Sequence, residues 1–167
     1  MTKKYNDDNY YYIVNNILDN DKFKKLDNYA HHGITRLEHC KRVSYYSYKV
    51  AKLLKLDYKQ TARAALLHDF FYNDEVSRVK SYFNHAGLAV NNAKEEFALT
   101  EKEEDIIATH MFPVNINKVP KYMESWIVSG VDKVSCVYES LLSLSKLCKF
   151  KLRHAMVLSI FLLGRFM

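Results

Sequence analysis

QTARAALLHDFF, residues 60–71, is the most apolar and alanine-rich stretch of the chain. An apolar helix of this kind is predicted to lie in the middle of a fold rather than on its surface. Near its end it carries His68-Asp69, set between Ala65-Leu66-Leu67 and Phe70-Phe71. Burying a carboxylate there costs several kcal/mol unless it is paired or holds a metal. Neighbouring helical residues point about 100° apart, so both can serve one site only at a helix end. The polar segment that begins at Asn73 puts them near such an end.

On the N-terminal side, residues 35–56 read as one long helix with Leu37, Cys40, Val43, Tyr46 and Val50 along an apolar stripe. Gly33 is the stop before it, and Thr35 with Glu38 has the spacing of a capping box. Ile13, Val14, Ile17 and Leu18 fall at helical spacing among the tyrosines and asparagines of residues 1–30. On the C-terminal side, residues 73–80 read as a loop, and residues 84–97 and 102–111 as helices. Pro113 and Pro120 bracket a loop that a helix should not cross. Residues 122–147 resume helix with a soft point at Gly130, and residues 150–166 form a last one.

The chain has 4 glycines and 2 prolines in 167 residues, few punctuators for a strand-and-turn fold, and no useful alternating pattern. These readings predict an all-α protein, a single compact bundle of about six to eight helices. One domain spans 1–167, with residues 31–137 as its core and 1–30 and 138–167 as flanking helices.

The net charge is +6, which favours anionic partners without choosing among them. The lysines are spread at helical spacing, so solvated faces are favoured over a nucleic-acid groove. Cys40, Cys136 and Cys148 show no CxxC or zinc-finger spacing and no disulfide framework, which fits a reducing cytoplasm. No signal peptide is read at the N-terminus. The apolar run 155–163 is far shorter than the ~20 residues a membrane span needs; a core helix, or one covering a partner in a homodimer, accounts for it. His31 and His154 are expected on the surface, and Cys40 facing away from its neighbour His39. Tyr45, Tyr46 and Tyr48 read as packing rather than as a stacking platform.

His39, His68, His85 and His110 each fall within or beside a separate predicted helix. Asp132 lies inside the apolar stretch WIVSGVDKVSCV. Imidazoles and carboxylates drawn together from several helices suit Fe, Mn, Zn or Ni.

The order His39, His68-Asp69, His85, His110, Asp132 resembles the H…HD…H…H…D pattern of HD-domain metal-dependent phosphohydrolases. The contexts TRLEHCKRV, ARAALLHDFF, HAGLAVNNA, ATHMFP and VDKVS resemble it too, over roughly residues 31–137. No GYP element follows the pair, unlike the group specific for cyclic di-GMP. The resemblance implies a phosphoester or phosphoanhydride hydrolase that acts on a small, nucleotide-like substrate through a metal-activated hydroxide. It implies two transition-metal ions, Fe or Mn first, with Zn, Ni or Mg as substitutes. His39, His68, Asp69 and Asp132 would hold one ion; His85 and His110, with Asp69 bridging, would hold the other.

Arg36, three residues before His39, is a candidate to grip phosphate, with a surface salt bridge to Glu38 or Asp57 as its alternative. Lys133 and His32 are weaker candidates for phosphate contact. Two other readings stay open: a mononuclear nucleoside-monophosphate phosphatase, if His85 and His110 only end helices, and a non-catalytic nucleic-acid-binding or regulatory module.

Overall fold

The computed structural model describes residues 5, 7–31, 33–72 and 78–163, and side chains outside 78–84 and 147–163. It is 73% helical, with seven α-helices and one two-stranded sheet among the described residues. In chain order these are α1 (Asp8–Leu18), α2 (Asp21–Lys24), a 3₁₀ turn (Lys25–Asn28), β1 (Ala30–His31), β2 (Ile34–Thr35), α3 (Arg36–Leu53), α4 (Tyr58–Leu67), α5 (Arg78–Glu96), α6 (Glu101–Thr109) and α7 (Met123–Leu163). The all-α reading holds. Among the described residues no helix is long and apolar enough to cross a membrane.

Short polar residues start the helices. Asp7, Asn20, Thr35, Asp57 and Thr100 each accept a hydrogen bond from a backbone N–H in the first turn of α1, α2, α3, α4 and α6, which satisfies a donor the helix itself cannot. Thr100 and Glu103 form a full capping box. Thr35 makes one half of the box read at Thr35–Glu38, accepting from the Glu38 amide.

The core runs through the middle of the bundle. Val43 of α3, Leu66 and Leu67 of α4, Ile106 and Ile107 of α6 and Val128 of α7 are all fully buried, with Phe70 and Phe23 against them. The alanine-rich α4 is central as predicted: small side chains let α3 and α6 approach it closely. Tyr45 and Tyr48 pack with Tyr10 and Tyr58, as the packing reading requires. Tyr46 leaves the stripe and is half exposed.

Beyond shifts of one to three residues at other helix ends, three features differ from the sequence reading. Helix α4 stops at Leu67, so His68-Asp69 sit just past its end instead of inside it. Helix α5 begins at Arg78, earlier than residue 84. The two helices expected beyond residue 121 are one, α7, of 41 residues; the junction near residue 148 has neither proline nor glycine to stop it. Gly130 lies within α7 without breaking it.

The small sheet gave no signal, since two-residue strands cannot show alternation. Ala30 pairs with Thr35 and His31 with Ile34. Gly33 turns the hairpin at φ +86°, and a Cβ there would fall 2.7 Å from Ser143 of α7. This is a conformation and a contact that glycine alone accepts readily.

Candidate metal centre

Helices α4 and α6 end with the same device. His68 and His110 each follow the last helical residue and turn Nδ1 onto the carbonyl three residues back, Ala65 at 2.8 Å and Ile107 at 2.7 Å. A carbonyl only accepts, so each Nδ1 carries the hydrogen and, in the neutral ring, each Nε2 presents a lone pair. Both lone pairs face the same buried space, beside Asp69.

His39, in the first turns of α3, is fully buried. Its Nδ1 lies 2.9 Å from Glu139 Oε2 and its Nε2 3.1 Å from Asp132 Oδ1, both carboxylates on α7. Asp132 Oδ1 also lies 3.6 Å from His68 Nε2, and Asp69 Oδ2 lies 3.8 Å from the same nitrogen. On the other side, Asp69 Oδ1 is 3.5 Å from both His85 Nε2 and His110 Nε2, which are 3.0 Å apart. All six residues predicted as ligands therefore meet in one cluster, with Asp69 in its middle. The groups His39-His68-Asp69, His68-His110-Asp132 and Asp69-His85-His110 each keep their ligand atoms within 4.8 Å of one another.

The donors fit a transition metal. Among the described residues, His68 Nε2 and Asp69 Oδ1 are buried with no hydrogen-bond partner, a costly state for polar atoms that a cation relieves. The triangle of Asp69 Oδ1, His85 Nε2 and His110 Nε2 has sides of 3.0, 3.5 and 3.5 Å. A point equidistant from its corners lies about 2 Å from each, the length of a metal bond to imidazole nitrogen or carboxylate oxygen.

The charges are tightly balanced. Burial opposes ionisation of Asp69, but His68, His85 and His110 outweigh it and hold its carboxyl far below the usual range. Asp132 is likewise held well below, against burial, by His39 and His68. Burial disfavours the charged forms of His39 and His68, yet Asp132 and Glu139 raise the first, and Asp69 and Asp132 raise the second well above the usual imidazole value. His110 drops to about 3 through burial and the charge of His68.

The remaining candidates stand at the edge. Arg36 is buried, not on the surface: its Nη1 donates to the Phe71 carbonyl at 2.7 Å and its guanidinium lies 3.9 Å above the Phe71 ring. Glu38 pairs instead with Lys41, and Asp57 caps α4. Phe71 in turn stacks on His85 at 5.1 Å, so Arg36 braces the segment after the HD pair. Lys133 donates to the His110 carbonyl and, at 3.1 Å, to Asp132 Oδ2, tying α6 to α7 at the cluster. His32 and His154 lie outside the residues whose side chains are described. Cys40 is buried in the core.

His31 corrects the surface reading. It is half-buried, its ring 4.3 Å from that of His39, because Gly33 lets the hairpin lie against α7. Glu139 and Arg42 were missed altogether. Glu139 is buried and ion-paired with Arg42 behind His39. Its signal is the spacing from Asp132, seven residues or two turns on one helix face.

No family model, no curated protein and no solved structure matches this chain.

Proposed function

We propose that the chain is a metal-dependent phosphohydrolase of the HD-domain type, cleaving a phosphoester or phosphoanhydride bond of a small, nucleotide-like substrate. The observation that carries this is the meeting of His39, His68, Asp69, His85, His110 and Asp132, in the order of the motif, around buried unpartnered donor atoms. His39, His68, Asp69 and Asp132 would hold one Fe or Mn ion, and Asp69, His85 and His110 a second. Bound there, such ions lower the pKa of water to about 7 and neutralise charge on a phosphoryl oxygen.

The residues of the chain supply the rest. The carbonyls of Ala65 and Ile107 and the Glu139 carboxylate hold three imidazoles in the tautomer that aims Nε2 inward. Lys133, itself partly exposed, places a positive charge 3.1 Å from Asp132 Oδ2, where it favours approach of a phosphate. Arg36 fixes Phe71 and through it the ring of His85.

The Asp69-His85-His110 triangle favours two ions over the mononuclear reading. The nucleic-acid-binding reading finds less support, because it gives no reason to gather buried carboxylates and imidazoles.

The test is metal analysis of purified protein joined to a hydrolysis screen of nucleotides, dinucleoside polyphosphates and cyclic nucleotides with Mn or Fe supplied. Asp69→Ala is expected to lose both bound metal and turnover. Full turnover after chelation, or in Asp69→Ala, refutes the proposal.

A further inference from the structure

At the outer edge of the cluster, His31, His39 and Cys136 each offer a nitrogen or sulfur atom, all within 4.8 Å of one another. The function proposed above uses neither His31 nor Cys136. Three elements deliver the group: β1 brings His31, α3 brings His39 and α7 brings Cys136. Gly33 seats the hairpin against Ser143 of α7, which holds the His31 ring 4.3 Å from that of His39. Cys136 stands one turn after Asp132, with Sγ 3.5 Å from Asp132 Oδ1.

The donor set differs in kind from its neighbour. The inner cluster combines imidazoles with two carboxylates, whereas this group combines two imidazoles with a thiol, and sulfur favours softer ions such as zinc over manganese or magnesium. Access differs as well. His31 and Cys136 are half-buried, whereas of the inner ligands only His85 is, and His39, His68, Asp69, His110 and Asp132 are buried.

We infer that His31, His39 and Cys136 form a further, thiophilic cation position outside the inner cluster, and that an ion held there takes His39 away from the inner set. His39 has both nitrogens committed, Nε2 toward Asp132 at 3.1 Å and Nδ1 toward Glu139 at 2.9 Å. Capture through Nε2 withdraws that nitrogen from Asp132; capture through Nδ1 displaces the carboxylate that orients the ring. Either route weakens the inner ion's hold. Capture forms a metal–sulfur bond and releases the thiol proton to solvent, with no change of oxidation state. The cation position stands on its three residues, whereas its effect on the inner ion rests on the metal centre of the proposed function.

Cadmium titration of manganese-loaded protein tests both parts. Sulfur-to-cadmium charge-transfer absorption reports the outer position, and manganese retained after gel filtration reports the inner one. The expected band saturates at one cadmium per chain, weakens at least about tenfold in His31→Gln and vanishes in Cys136→Ser. One manganese is lost as the band grows, and this loss is absent in Cys136→Ser, which melts like the unaltered protein. No band, or an undiminished band in Cys136→Ser, overturns the outer position. A full band with manganese unchanged overturns the effect on His39. A protein that takes up no manganese refutes the inner centre, and the band alone then decides the outer position.

Discussion

Glu139 does for His39 what a backbone carbonyl does for His68 and His110, but with a charge. Its Oε2 accepts from Nδ1 and its other oxygen binds Arg42, so the imidazole is oriented by a buried ion pair rather than by the helix. Partners that orient a ligating histidine typically contribute ten- to a hundredfold in metal affinity, roughly. Glu139→Ala is therefore expected to weaken metal binding about 10- to 100-fold, measured by competition with a chelator, and to lower the melting temperature by stranding Arg42. Glu139→Gln keeps an acceptor for Nδ1 and should recover most of the affinity. Equal affinities in all three proteins would deny Glu139 this role. At this scale Asp69 and Asp132 were legible because a carboxylate in apolar surroundings is costly, and the histidines because they stand on separate predicted helices in the order of a known motif. Glu139, Arg42 and His31 were not: nothing in their local sequence marks them as more than surface polar residues, and their burial comes from neighbours distant in sequence.

Among the elements, the β1–β2 hairpin and the short ends of α4 and α6 matter most to the site. Gly33 at φ +86° leaves no room for a Cβ against Ser143. Gly33→Ala is expected to destabilise the protein by about 1–3 kcal/mol. Combining it with Ser143→Gly should return part of that loss by removing the clash but not the strained φ; thermal melts of the two variants check this. Thr100→Ala removes the capping box of α6 and should cost about 1 kcal/mol, with His110 at the far end of that helix the ligand to watch. Helix identity was legible from periodicity and caps, while ends were harder. The break after Leu67 depends on His68 turning back to Ala65, a side-chain contact that no propensity encodes, and the length of α7 depends on the absence of any stop signal.

For the molecule as a whole, the buried cluster makes stability depend on pH and, on the proposed function, on metal as well. In the metal-free protein, His39 and His68 lie above the ordinary imidazole value of 6.5. Their contribution is complete below pH 6.5 and is lost as pH rises through their folded values. His110, held to about 3, works the other way: below pH 6.5 the unfolded chain takes up a proton that the fold refuses. Asp69 and Asp132 lie below their ordinary 3.8, so their contribution, complete above 3.8, is lost as pH falls through their folded values. Metal-free protein should therefore be most stable near pH 6.5 and weaken on both sides. A metal replaces the protons that His39 and His68 otherwise need, so loaded protein should keep its stability above pH 7, gaining about 2.7 kcal/mol when free metal is 100 times its Kd. Melting curves across pH, with and without manganese, would show the two profiles diverge on the alkaline side; parallel profiles would count against the coupling. This behaviour could not be read from composition, since it arises only when residues 39 to 132 are brought to one point.

The most direct test is an anomalous-scattering map from crystals grown with manganese. Two peaks are expected in the buried cluster, one among His39, His68, Asp69 and Asp132, the other inside the triangle of Asp69, His85 and His110. Manganese found only at surface carboxylates, with that cluster bare, would contradict it.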